Sequence, residues 1–446
     1  MANPQHVVVI AFENRSFDHM LGFGPGGALT GQEFNPVDPA DPNSEPVPVT
    51  QLAGPITSVD PNHSLEAVNE QVFGVSVGQP DPAPMNGFVS SYIKNVGGDV
   101  TKGKAIMDCH APESIPVLTG LAQNYRVCTR WFSSVPGQTW PNRFFMHAAT
   151  SRGLVTNDPL DEDAPTIFDR LDDAGHSWRI YAGDVPQSLS LERLAGRFVL
   201  ERIKAAQDRH FHSLAQYFND LQQGTLPNYA FIEPQYFNTP LGQATDQHPP
   251  HDILLGEALL GHVYNSLLAS NYWQDSLLLV IFDEHGGFFD SVPPPRGVAA
   301  PDDLVAAQPV FDFTRLGPRV PALVVSPWVE PGVDATVYDH ASISATLNAI
   351  FELGPTSFLS RRDAAANAFN RNLALSTPRS LVGAFQADTT QAPPLDVLAP
   401  PDAGASGTVQ ALQTVLQVRG TAALSTFSSH QRRLLELSNN MLHSLA

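Results

Sequence analysis

Residues 276–285 read SLLLVIFDEH, a run of leucine, valine, isoleucine and phenylalanine that breaks abruptly into Asp283, Glu284 and His285. The run is far shorter than a membrane-spanning helix and shows no polar alternation, so both of its faces must be covered. Such runs form strands of a parallel sheet flanked by helices. His6 to Phe12 (HVVVIAF) repeats the pattern and ends in Glu13 and Asn14, while Val320 to Ser326 (VPALVVS) is a third run of the same kind. Ligands of these sheets sit at the carboxyl ends of strands, so the polar residues after the first two runs mark a candidate site. Helix patterns lie between the runs, among them 166–175 (TIFDRLDDAG) and 255–270, the second preceded by Pro249 and Pro250. The alternation predicts an α/β fold, with a central, mostly parallel sheet and helices on both faces.

The chain has 446 residues, enough for one large α/β domain with insertions. Residues 35–62 and 293–309, rich in proline and turn formers, are expected to be ordered loops or insertions. After about residue 375 a proline-rich stretch precedes a helical pattern at 424–445, so residues 1–375 are expected to form the catalytic domain and 376–446 a linker with a C-terminal helical extension. The leucine stripe of that last pattern suits packing on its own domain or on a second subunit, which leaves the oligomeric state open. The formal net charge of -20, from 45 acidic and 25 basic residues, argues against nucleic acid as a partner and against tight constitutive membrane binding. At most transient contact with a membrane surface is expected. Cys109 and Cys128 are too few for a disulfide framework and are expected to be free thiols. The first ten residues lack a basic segment and read as a strand rather than a signal peptide. A soluble protein is expected, cytoplasmic, or secreted or periplasmic if a leader has been removed.

Glu13, Asn14, Asp283 and Glu284 form an all-oxygen set, and oxygen ligands favour hard divalent cations. Three carboxylates brought together would raise one another's pKa, and a bound metal relieves that repulsion. Spacing alone serves an alternative equally well, with Glu13 and Asp283 as surface turn residues and Asn14 as a helix cap. His63, His248, His251, His285 and His340 all lie in loop-like contexts, and taken singly each is more readily structural than catalytic. His248 and His251 bracket two prolines that would fix their separation. Thr139, in the GQTWPN segment at 137–142, is a hydroxyl on a tight turn, and as such a nucleophile candidate or simply a helix cap.

The order of the segments adds a resemblance. ENRSFDH (13–19), DPNHS (60–64), MNGF (85–88), VPGQTWPNR (135–143), QHPPHD (247–252), FDEHGGFFD (282–290) and RVPALVVSPW (319–328) resemble, in order, signatures of the bacterial phosphoesterase family of non-specific phospholipases C and acid phosphatases. The resemblance implies an alkaline-phosphatase-like fold, Glu13, Asn14, Asp283 and Glu284 as metal ligands, and Thr139 as the residue attacking phosphorus. It places His63, His248 and, less firmly, His251 and His285 around the phosphate, with Asn142 in the same catalytic group. The implied cofactor is a divalent cation, with Ca²⁺, Mg²⁺ or Mn²⁺ favoured by the oxygen set and Zn²⁺ admitted by the histidines. The implied substrate is a phospholipid or, alternatively, a small phosphomonoester. A catalytically silent binding protein is the remaining alternative, disfavoured because no ligand or nucleophile is missing. Phe88, Trp140, Phe144, Phe145, Phe288 and Phe289 are available either as core residues or as contacts for acyl chains.

Overall fold

The computed structural model describes residues 3–75, 79–160, 164–203, 210–238, 242–307, 309–380 and 382–387. The helical pattern expected at 424–445 lies outside them.

The sheet is built from β1 (His6–Phe12), β2 (Arg126–Cys128), β3 (Trp178–Ala182), β4 (Phe211–Ser213), β5 (Tyr229–Glu233), β6 (Ser276–Phe282), β7 (Ala322–Val325) and β8 (Gly332–Asp334). Their spatial order is β8-β2-β7-β6-β1-β5-β3-β4. The run β6, β1, β5, β3, β4 is parallel throughout. β7 pairs antiparallel with both β6 and β2, and β8 returns to run parallel with β2. The third apolar run is thus a buried strand, as its composition requires, but it lies against the direction of its neighbours. Apolar composition encodes burial on both faces and carries no information about strand polarity.

All seven residues of β6 are buried, as are Val7 to Phe12 of β1. Successive side chains point to opposite faces, so burial of every residue means that layers cover both sides. Those layers include α1 (Pro116–Asn124), α2 (Thr139–Ala148), α3 (Ile253–Ala269) and α4 (Ala341–Phe351). α3 packs on α1, and α2 packs on α4. The start of α3 is fixed by Asp252, whose side chain accepts from the Leu254 amide. The pattern at 166–175 is the helix Ile167–Ala174, capped by Thr166 with Asp169 and ended by Gly175 in the left-handed conformation.

The segments at 35–62 and 293–307 carry parts of two small hairpins, Phe34–Pro36 with Pro46–Pro48 and Ala306–Ala307 with Val310–Phe311. Cys109 and Cys128 are free and buried. Past residue 375, Arg379 donates to the carbonyls of Asn124 and Val329, and Asn265 holds both the amide and the carbonyl of Phe385. Among the described residues no helix is long and apolar enough to cross a membrane.

Candidate active site

The centre is made by the register of two neighbouring strands. Phe12 of β1 pairs with Phe282 of β6, so Glu13–Asn14 and Asp283–Glu284 leave the sheet side by side. The Asp283 amide donates to the Phe12 carbonyl (3.1 Å), and Asp283 Oδ1 accepts the amides of Asn14 (2.9 Å) and Glu284 (2.7 Å). Asn14 has a φ of 55°, a left-handed turn that asparagine tolerates better than most residues. Gly286 backs it so closely that an added Cβ would lie 2.2 Å from the Asn14 carbonyl oxygen.

Thr139 is the first residue of α2, and its hydroxyl donates to Asn14 Oδ1 at 3.4 Å. The positive end of that ten-residue helix therefore meets the strand ends, which favours an anion there. Asn142 is wholly engaged in the turn that carries Thr139. Its carboxamide oxygen accepts from the Val135 amide, and its nitrogen donates to the carbonyls of Val135, Gly137 and Gln138. Both polar atoms of Asn142 are thus hydrogen-bonded within the turn that carries Thr139.

One turn beyond Thr139, the guanidinium of Arg143 lies 3.4 Å from Glu13, 3.4 Å from Asp283 and 3.9 Å from Glu233 at the end of β5. Gln187 bridges the same group, its side chain donating to Glu13 and its amide donating to Glu233 (2.6 Å). All of these side chains are buried. Burial, and then the neighbouring Asp283, push Glu13 well above the usual carboxylate range. Burial likewise raises Asp283 to about 6, with Arg143 opposing the shift and Glu284 adding to it.

The histidines approach from other loops. His63 and His248 lie edge to face with ring centroids 6.4 Å apart, and His248 and His251 are separated by 6.3 Å. His63 is anchored through Nδ1 to the Pro61 carbonyl (2.8 Å). Burial alone would lower its pKa, but Glu284 and Asp60 outweigh burial and raise it. His248 is anchored through Nδ1 to Pro249 and presents Nε2 to Asp60, 3.8 Å away. His251 pairs with Asp246 at 2.7 Å. His285 is buried with Nε2 on Gln71, and burial lowers its pKa. His340 accepts from the Trp131 indole and donates to the Asp283 carbonyl, so it props the strand end from behind. The structure thus gathers Glu13, Asn14, Thr139, Asp283 and Glu284 at one point, with His63, His248 and His251 beside it.

Among the described residues, no three His, Cys, Asp or Glu side chains stand in a cluster that would hold a metal by themselves. The donor set nonetheless suits a hard cation, because two of its members are Asn14 and Thr139. In addition, Glu284 Oε1 is buried and accepts no hydrogen bond, and the same holds for Asp60 Oδ1 and Asp246 Oδ2 nearby. Buried carboxylate oxygens without donors are costly unless a cation meets them.

Sequence reasoning missed Arg143, Glu233, Gln187, Asp60 and Asp246. For Glu233 a signal existed, since it ends the apolar strand YAFIE just as Glu13 and Asp283 follow theirs. The six aromatic residues considered for acyl contact are all at or below 2% exposed, so they are core residues.

Residues 4–354 match the model of the phosphoesterase family. The chain belongs to that family. This phosphoesterase is accordingly a hydrolase acting on phosphate esters. It is 40% identical over 386 residues to non-specific phospholipase C1 of Arabidopsis thaliana, covering 82% of this chain and 70% of the relative. It is 25% identical over 429 residues to phospholipase C B of Mycobacterium tuberculosis, covering 84% of this chain and 78% of the relative. A solved alkaline phosphatase superfamily protein from Vibrio parahaemolyticus is similar at 12% identity and a TM-score of 0.37, with 60% of this chain and 67% of that one aligned.

Proposed function

We propose that this phosphoesterase is a phospholipase C that cleaves glycerophospholipids on the glycerol side of the phosphate, with Thr139 as nucleophile. The observation that carries the reading is the convergence of a helix-initiating hydroxyl with Asn14 and the carboxylates at two adjacent strand ends. Relatives named non-specific phospholipase C, similar over most of the chain, support the substrate class.

Thr139 Oγ, its proton passing to solvent, forms a bond to phosphorus from the side opposite the diacylglycerol oxygen, and the bond to that oxygen breaks. His248, through Nε2, supplies the proton that the leaving alkoxide takes up. His63, its pKa raised by Glu284 and Asp60, holds positive charge for the phosphoryl oxygens, together with the N-terminus of α2. Water then attacks the phosphothreonine, releasing the phosphorylated headgroup and restoring the Thr139 hydroxyl. Glu13, Asn14, Asp283 and Glu284 would hold a divalent cation, which when bound lowers the pKa of the hydroxyl and offsets phosphate charge.

Thr139→Ala is expected to abolish turnover while leaving the fold and metal content intact, because it removes one oxygen and little packing. The assay compares phosphocholine release from phosphatidylcholine with phosphate release from nitrophenyl phosphate. A variant with near wild-type rate refutes the nucleophile. A wild type that releases only phosphate from the small ester refutes the lipid substrate.

A further inference from the structure

Beside the site, residues 46–59 carry no charged side chain. Leu52 is 75% exposed and Ile56 54% exposed. Their exposure does not come from a slack backbone. The loop is tied down by Thr50 to Met107 and Cys109, Ala53 to Cys109, Pro55 to the first residue of α3, Thr57 to Arg15, and Val59 to Tyr92. Every tie runs inward, so a fixed backbone holds Leu52 and Ile56 out in water. Val100, 41% exposed, adds a third apolar side chain two residues before Lys102.

Beneath the loop is a cavity of about 200 Å³ lined by Ile56, Tyr92, Ile106, His19 and Phe288, among others. His19 and Phe288 belong to the same segments that carry Asn14 and Glu284, so the recess adjoins the site. The charge around it is unlike that of the whole chain. The sequence holds four lysines, and Lys102 lines this recess while Lys104 binds Glu45 at the hairpin leading into the loop. Lys102 has Asp99 at 3.6 Å and Lys104 has Glu45, which with Asp108 in the lining leaves the rim one negative charge from neutral in a chain of net charge -20. A near-neutral rim with protruding aliphatic side chains can approach a phospholipid surface that the rest of the protein repels.

We infer that residues 51–58 are the element that docks this enzyme on a phospholipid surface, with Leu52 and Ile56 entering the acyl boundary and Lys102 facing the headgroups. The inference rests on the phospholipase reading for its purpose, but its test is separable. The full chain carrying Leu52→Ser and Ile56→Ser is compared with wild type and with Val333→Ser, an exposed apolar control on the edge strand β8. Sedimentation with phosphatidylcholine vesicles, with and without phosphatidylserine, reads docking directly. The double variant is expected to bind vesicles at least about tenfold more weakly, as withdrawal of two aliphatic side chains from the interface requires. Hydrolysis of vesicle lipid should fall in parallel, while hydrolysis of a soluble short-chain phosphatidylcholine stays within about twofold of wild type. Unchanged vesicle binding overturns the inference, as does an equal loss in Val333→Ser or an equal loss on the soluble substrate. It is also overturned if the double substitution lowers the mass in solution, since the loop would then join two copies of the chain. A wild type that binds vesicles through Leu52 and Ile56 yet hydrolyses no phospholipid refutes the proposed function and leaves the docking loop standing.

Discussion

Replacing Arg143 with methionine tests the electrostatic design of the site most directly, because a single cation there faces three buried carboxylates. Its guanidinium lies 3.4 Å from both Glu13 and Asp283 and 3.9 Å from Glu233. At an effective dielectric constant of about 20, each contact at the shorter distance is worth roughly 5 kcal/mol of Coulomb attraction. Desolvation offsets much of this, and removing one partner of a buried pair costs about 3–5 kcal/mol in practice. Methionine keeps most of the aliphatic stem, so the loss is electrostatic rather than a cavity. The sign of the pH dependence follows from the carboxyl groups. Asp283 is raised to about 6 in the folded protein from its ordinary 3.8, so its contribution to wild-type stability falls between those limits as pH rises. Without Arg143 the folded pKa values of Asp283 and Glu13 both climb further, so the variant loses more stability than wild type as pH rises. Urea midpoints measured in chelator at pH 5 and pH 8 should therefore show a deficit that is larger at pH 8. A deficit below about 1 kcal/mol, or one that does not grow with pH, would contradict the assignment of Arg143 as the counter-charge of these carboxylates.

Two other substitutions probe the geometry. Gly286→Ala places a methyl group 2.2 Å from the Asn14 carbonyl at a φ of +64°; the displacement should cost about a hundredfold in turnover, and a full rate would show that Asn14 need not be held where it is. His248→Ala should slow phospholipid cleavage far more than cleavage of nitrophenyl phosphorylcholine, whose leaving group needs no proton; equal losses would remove His248 from the acid role.

The strands that frame the site were legible because burial on both faces leaves an uninterrupted apolar run. His6 to Phe12 and Ser276 to Phe282 are the observed strands residue for residue. The reversal of β7 was not legible, since direction depends on the connection before the strand and not on its composition. Within the site, the same rule that exposed Glu13 and Asp283 would have found Glu233, had the shorter run before it been weighed. Gln187 carries no local signal, because the short 3-10 helix that holds it reaches the centre only through tertiary contacts, and Asp60, although it opens the DPNHS segment, gives no sign in sequence that it faces His248. Arg143 lies in the VPGQTWPNR segment, but nothing in that segment shows that its guanidinium turns toward the carboxylates of two strand ends. That side chain, one helical turn past Thr139, offsets part of their mutual repulsion.

The pairing of Phe12 with Phe282 fixes the two halves of the hydrolytic centre by neighbouring positions in one sheet, although 269 residues of sequence separate Asn14 from Asp283. The distance across the centre is consequently indifferent to the length of the excursion between them. Insertions in the loop at 36–56 can reshape the surface beside the site without changing that spacing, much as a tool holder accepts interchangeable jaws. Libraries that randomise residues 36–56, with Asp60 left in place, should yield altered substrate preference at undiminished chemical competence.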